Sequence, residues 1–348
     1  MDIKAINAFA FTVWSHRQGA VVAQMIHLGH RLGLYKAMAG QGPMTAAALA
    51  KRAGIGERYA EEWLRCQAAG GLLEYDNHMF LLPDAGAAVL ADDQSSPFFS
   101  AGAFAPVDAR AQADRLADAF QTNSGHGYDE GGTDLVDILE GMNAPWARLV
   151  LPAMVVDSIP GFRDRLERGA LVIDVGCGSG LAVAALAEAF PQSTFVGIDP
   201  SEHAITRAQE RLADMPNASA EVGYAETVEA READVVTAFD CLHDMSRPDQ
   251  ALTSMRAALP DDGLLVVKDI KTARTFEEQG KNPMLAMMYG LSIMSCLPSG
   301  LATEDGLGLG NQGLYPEKMQ EMAAGAGFTQ FTVHDLGDPV NLYFEIRP

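Results

Sequence analysis

The chain has 348 residues, 48% apolar and 20% charged, which fits a soluble globular protein of two domains. Its formal charge of −21 speaks against nucleic acid or an anionic membrane as partner, because such affinity comes largely from Lys and Arg displacing counterions; a neutral, cationic or small organic substrate is favoured. Four scattered cysteines without a CxxC pair argue against a disulfide framework or a zinc site, so no metal is expected, and the lack of an eighteen-residue apolar run or a signal-like N-terminus points to the cytoplasm without a membrane span.

Along the chain, Val21–Leu34 carries apolar residues at helical spacing. Thr45 is a plausible N-cap for the next segment, Gly54-Ile55-Gly56 a turn, and Gly70-Gly71 the end of a second helix. LLEY and MFLL then flank Asp76-Asn77-His78 as a hairpin. Helix, turn, helix and hairpin make a winged-helix layout. Between Thr45 and Pro83, however, five acidic residues outnumber four basic ones, and a recognition helix bearing Glu61 and Glu62 would meet phosphates badly. A dimerisation or substrate-covering module is the favoured reading. Residues 96–165 read as helical connection, with a Gly-, Ser- and Asp-rich stretch, QTNSGHGYDEGGTD, expected to be mobile. His126 and Tyr128 lie there, either facing a substrate or standing in an exposed loop.

From residue 166 strands and helices alternate: ALVIDVG, LAVAALAEAF, STFVGID and SEHAITRAQERLADM, then ASAEVGYAE, ADVVTAFD and GLLVVKDI. FTQFTVHDLG and NLYFEIRP close the chain as an antiparallel pair. Such alternation implies an α/β fold with a mostly parallel sheet, helices on both faces, and ligands at the carboxyl ends of the strands.

VIDVGCGSG places Asp174, Gly176, Gly178 and Gly180 where a strand turns into a helix. Glycines let the chain turn sharply there and let a ligand approach the backbone. The dinucleotide fingerprint needs a third glycine three residues after the second, and Leu181 occupies that position. The D-x-G-x-G-x-G arrangement resembles motif I of the class I S-adenosylmethionine-dependent methyltransferases, and the resemblance covers about half the chain. It implies a Rossmann-like seven-stranded methyltransferase sheet and S-adenosyl-L-methionine as cofactor. Asp199, nineteen residues past Gly180, would accept the ribose hydroxyls, with a helix N-cap as its plain alternative. The resemblance further implies that Asp174 sits near the cofactor's ammonium group and that Gly176, Cys177, Gly178 and Gly180 pass its methionine portion. Pro200 would adjoin Asp199, Ala225 and Glu226 would flank the adenine after Tyr224, and Phe239 and Asp240 would line the other side.

Methyl transfer aligns a nucleophile with an activated cofactor and removes the nucleophile's proton, for which a histidine is the natural base. The whole chain is similar to the small-molecule O-methyltransferases, which carry a winged N-terminal domain for dimerisation and pocket closure and a histidine-aspartate pair in this loop, as in H-D-W-S-D. Here HDMSRPD keeps His243, Asp244 and Ser246, with Met245 in place of Trp. His243 is the candidate general base. Asp244 would orient it, stabilise its charge or cap the following helix. A plain surface loop is the other reading of His243.

Three segments result: a winged-helix and dimerisation domain at 1–95, a helical pocket-covering linker at 96–165, and a methyltransferase domain at 166–348 with a lid insertion at 271–314. In that insertion Met284, Met287, Met288 and Leu291 share a helical face, either in the core or dimer interface or against a substrate. Met287, Met288 and Met294, with His126 and Tyr128, are the substrate candidates. Gly306, Gly308, Gly310 and Gly313 would make the next loop pliable. Lys268 and Lys271 either meet an anionic substrate group or stand in solvent. The expected activity is methyl transfer to a small, hydroxylated acceptor by a homodimer. Rivals are N- or C-methyl transfer on the same fold, an S-adenosylmethionine-sensing regulator, and a nicotinamide-dependent dehydrogenase, which the glycine spacing disfavours.

Overall fold

The protein is described here from a computed structural model, over residues 2–106 and 109–348. Its contacts divide the chain into two compact units, residues 2–106 with 137–149 and residues 109–136 with 150–348. The segment read as a linker is thus shared between the two.

The first unit opens with α1 (Ile3–Arg31), started by Asp2, whose carboxylate accepts from the Lys4 amide at 2.9 Å. The helix begins far earlier than Val21, where periodicity had placed it. Its N-terminal part carries apolar residues on all sides, so no stripe marks it, and Phe9, Phe11 and Trp14 stand 72%, 76% and 70% exposed. After α2 (Leu34–Met38) come α3 (Ala46–Ala53), capped by Thr45 Oγ1 on the Ala48 amide, and α4 (Glu57–Ala69), ended by Gly70. Strands β1 (Glu74–Asp76) and β2 (Met79–Leu81) pair antiparallel around Asn77 and His78, both at positive φ, which is the tight-hairpin geometry. α5 (Asp84–Leu90) completes the unit, and Tyr35, Leu49, Trp63 and Leu64 lie in its core.

The second unit is built on one seven-stranded sheet. Its strands are β3 (Leu171–Val175), β4 (Thr194–Asp199), β5 (Ala218–Val222), β6 (Val235–Phe239), β7 (Leu264–Ile270), β8 (Gln330–His334) and β9 (Asn341–Arg347), in the order β5-β4-β3-β6-β7-β9-β8. The first five are parallel, whereas β9 runs antiparallel to both β7 and β8. β6 and β7 are buried along nearly their whole length, which explains their unbroken apolar runs. The chain winds outward from β3 through β4 to β5, then returns to β6 on the other side of β3. That reversal makes the carboxyl ends of β3 and β6 the topological switch point, the place where open α/β sheets bind ligands.

Helices α6 (Ala109–Thr122), α7 (Gly132–Pro145), α8 (Val156–Ser158) and α9 (Phe162–Arg168) precede the sheet. α10 (Leu181–Ala189), α11 (Glu202–Leu212) and α12 (Pro248–Ala258) connect its strands. The insertion after β7 holds α13 (Phe276–Gln279), α14 (Leu285–Leu291), α15 (Leu297–Gly300) and α16 (Gly310–Gly313), and α17 (Pro316–Gly325) leads to β8. Among the described residues, no helix is long and apolar enough to cross a membrane.

Candidate functional site

The turn from β3 into α10 forms one wall of the site. Gly176 and Gly178 have φ of 68° and 54°, the left-handed region that a side chain resists. A Cβ on Gly176 would lie 2.6 Å from the Cys241 Cβ, whereas one on Gly178 would meet nothing within 4 Å. The first glycine therefore lets β3 and β6 end side by side, and the second faces open space. Asp199, at the tip of β4, accepts from the Gly178 amide through Oδ2 and from the Ser201 amide through Oδ1, both at 2.9 Å. It does not cap α11; Ser201 Oγ does so on the Ala204 amide. Burial lifts the Asp199 pKa, and each of its oxygens keeps a second lone pair.

The remaining cofactor candidates divide by burial. Asp174 is buried under the turn, accepts from Thr237 Oγ1 at 2.6 Å, and is raised to about 7 by burial. The Cys177 thiol packs toward β4, so close to Gly197 that a Cβ there would lie 2.7 Å from it; its pKa is pushed well up by burial. Pro200 is exposed, Ala225 buried, and Glu226 and Phe239 half-buried. Asp240 takes a left-handed backbone at φ 55° and binds the buried Lys268 ammonium and the Asn341 amide. That pairing answers the question raised by Lys268, while Lys271 pairs with Asp335 at 2.6 Å.

The left-handed step at Asp240 carries the chain off the sheet into a short 3-10 turn, Leu242–Asp244. His243 is buried there, 3% exposed, with Nδ1 2.7 Å from Asp269 Oδ1 on the neighbouring β7. Asp269 Oδ1 also accepts from the Ile270 amide at 2.7 Å, and its Oδ2 has no partner among the described residues. Burial alone would lower the His243 pKa, but the Asp269 charge and hydrogen bond, helped by Cys296, carry it well above the usual value. The residue that orients the imidazole is therefore Asp269, and the Asp244 carboxylate accepts instead from the Tyr128 hydroxyl. Burial raises Asp244 to about 7, and it raises Tyr128 well above the usual phenol value, with Asp244 adding to the effect.

Tyr128 belongs to a segment fastened at several points. The Gly125 amide donates to the Leu301 carbonyl at 3.0 Å and the His126 amide to the Pro298 carbonyl at 3.1 Å. A Cβ on Gly125 would fall 2.0 Å from the Pro298 oxygen, so only glycine fits there. Asp129 accepts from the Ser201 hydroxyl and, at 3.0 Å, from the Glu202 amide at the head of α11. The stretch expected to be mobile thus spans from the Asp199 side of the sheet to the His243 side, with Tyr128 half-buried and bonded.

The insertion at 271–314 is also tied to the histidine loop: Ser246 Oγ donates to the Ser299 carbonyl at 2.9 Å and the Leu307 amide to the Ser246 carbonyl at 2.9 Å. The methionine face is split. Met288 is buried, with its sulfur 3.2 Å from Asn282 Nδ2, while Met284, Met287 and Met294 are exposed. A ring nitrogen of His243, a carboxylate oxygen of Asp244 and Cys296 Sγ lie within 4.8 Å of one another. Asp269 and Cys296 are the two site residues missed from sequence. For Asp269 a signal existed: a carboxylate at the carboxyl end of the strand candidate GLLVVKDI. For Cys296, 53 residues beyond His243, there was none.

Comparison with known proteins agrees with this architecture. Residues 166–327 match the family described as a methyltransferase domain, and residues 20–92 the Rv2258c-like winged HTH domain. A 37.1 kDa protein in a Streptomyces fradiae transposon is 26% identical over 161 residues, 44% of this chain and 44% of that protein. The malonyl-[acyl-carrier protein] O-methyltransferase of Halalkalibacterium halodurans is 23% identical over 134 residues, 37% of this chain and 49% of that protein. The matched stretches span less than half of these relatives. Among solved structures, human N-acetylserotonin methyltransferase in complex with S-adenosylmethionine superposes with a TM-score of 0.68 at 16% identity, covering 97% of each chain. Mitomycin 7-O-methyltransferase gives 0.65 at 20% identity over 99% of each chain. The fold, the glycine turn and the two family matches agree on a methyltransferase domain over residues 166–327 and a winged helix-turn-helix domain over residues 20–92.

Proposed function

We propose that the protein transfers a methyl group from S-adenosylmethionine to a hydroxyl of a small organic acceptor, with His243 as general base. The observation that carries this reading is the His243–Asp269 pair. Asp269 holds Nδ1, so Nε2 is left to take the acceptor's proton at the switch point of the sheet. The residues present fit the cofactor. Open space faces Gly178, Asp199 has lone pairs for two ribose hydroxyls, and the surrounding carboxylates suit a sulfonium and an ammonium. When bound, the cofactor supplies an already activated methyl group. The protein's part is to align the acceptor oxygen, exclude water and hold the proton that leaves it. Asp269 stabilises the imidazolium that results, and Tyr128 and Asp244 line the same end of the cleft.

A small-molecule acceptor also agrees with the charge of −21. On α4, moreover, Arg58 and Arg65 are already paired with Glu62 and Glu61, which leaves little basic surface for DNA. The exposed apolar residues of α1 support a homodimer in which a second copy covers that helix; sedimentation of wild type against Phe9→Glu/Trp14→Glu tests it.

The decisive experiment is a screen of phenols and hydroxylated metabolites with labelled cofactor, followed by His243→Ala on the best acceptor. Turnover should fall roughly 10²–10⁴-fold with cofactor affinity nearly unchanged. An unchanged rate would remove His243 from the chemistry and favour N- or C-methyl transfer on the same fold.

A further inference from the structure

We propose that His243, Asp244 and Cys296 form a binding site for a soft divalent cation, with Zn²⁺ as the fitting ion. A ring nitrogen, a carboxylate oxygen and a thiol sulfur, one from each, converge within 4.8 Å. In a tetrahedral zinc shell, donors at about 2.0–2.3 Å from the ion lie roughly 3.3–3.8 Å from one another. Small side-chain rotations therefore close the three around an ion. Imidazole, thiolate and carboxylate form a donor set that prefers zinc to magnesium or calcium, and three protein ligands leave a fourth position open.

The surroundings are those of a metal ligand shell. Histidines that bind metal almost always give their other ring nitrogen to a carboxylate or carbonyl, which fixes the ring and raises its basicity. His243 does so to Asp269 at 2.7 Å, on buried β7. Tyr128 holds the Asp244 carboxylate in the same way through its hydroxyl. His243, Asp244 and Asp269 are buried, so water competes weakly for the ion. No sequence spacing announces the site, because Cys296 reaches it from the insertion after β7 while His243 and Asp244 follow β6.

Bound zinc would occupy the lone pair that a base needs, so the metal-loaded protein would be blocked in methyl transfer. That consequence rests on the reading of His243 above; the site itself rests on the donor geometry.

The test uses the tag-free, fully reduced chain with Co²⁺ as a visible stand-in for zinc. Titration should give a sulfur-to-cobalt charge-transfer band and tetrahedral d–d bands that saturate at one equivalent and are bleached by Zn²⁺. Cys296→Ser should abolish the charge-transfer band, and Asp269→Asn should weaken Co²⁺ affinity by ~10–100-fold. A second measurement needs no variant: Zn²⁺ but not Mg²⁺ should slow alkylation of Cys296, read by peptide mass. A missing charge-transfer band, a band that survives in Cys296→Ser, or alkylation indifferent to Zn²⁺ would overturn the site. None of these readouts depends on methyl transfer, so a failure of the base reading shows itself separately.

Discussion

His243 Nδ1, in the turn that follows β6, stands 2.7 Å from Asp269 Oδ1 on the adjacent parallel β7, both buried, and this contact leaves Nε2 as the imidazole nitrogen that Asp269 does not hold. Asp269→Asn keeps the shape and removes the charge. The acceptor-saturated rate should fall roughly 10²–10⁴-fold, while the S-adenosylhomocysteine Kd measured by calorimetry changes little. A rate within a factor of two of wild type would sink the orienting role.

The pH profile should lean to the alkaline side. Burial opposes the imidazolium, but Asp269 and Cys296 outweigh it and hold the His243 pKa well above 6.5. A histidine with a raised pKa holds its proton to higher pH and is a competent base only above its folded-state pKa. The rising limb of the acceptor kcat/KM should therefore reach its plateau on the alkaline side of an ordinary histidine's titration, not near pH 6.5. Asp269→Asn should move that limb to lower pH. A plateau already reached near pH 6.5 would contradict the pairing.

Two glycines of the turn should separate folding from binding. At Gly176 a Cβ collides with Cys241, so Gly176→Ala should destabilise the chain by ~1–3 kcal/mol in urea. At Gly178 the space is open and only the left-handed backbone resists, at ~1 kcal/mol. Gly178→Ala should therefore melt close to wild type yet lose roughly tenfold or more in cofactor affinity, since the methyl would protrude into the cleft. Equal affinity in that variant would place the cofactor elsewhere.

Asp174 links the fold to pH in the opposite sense to an ion-paired carboxylate. Burial lifts its folded pKa from 3.8 to about 7, so its contribution to stability declines as pH rises between those values. Asp174→Asn keeps an acceptor for Thr237 and removes the charge. It should be near neutral at about pH 4 and stabilising by ~1–3 kcal/mol at about pH 8, in cofactor-free protein. Equal effects at the two pH values would refute the burial argument.

Much of this was legible locally. Unbroken apolar runs marked β6 and β7 because both faces of a central parallel strand are covered. Thr45 and Gly70 marked helix ends because orphaned backbone groups need partners. The start of α1 was not legible: periodicity reports a helix only where one face meets a core, and the helix's first turns meet none. For Asp129 and Tyr128, a Gly-rich stretch read as loose because composition does not reveal what a backbone rests against.

The glycine turn, the carboxylate at the tip of β4 and the histidine just past β6 could be read locally, because each depends on neighbours within a few residues. What those groups touch follows from long-range packing. Asp269 reaches His243 because β7 pairs with β6, and Cys296 and Tyr128 arrive from segments dozens of residues away. Strand order and chain crossings come from the packing of the whole sheet, and no local spacing records them.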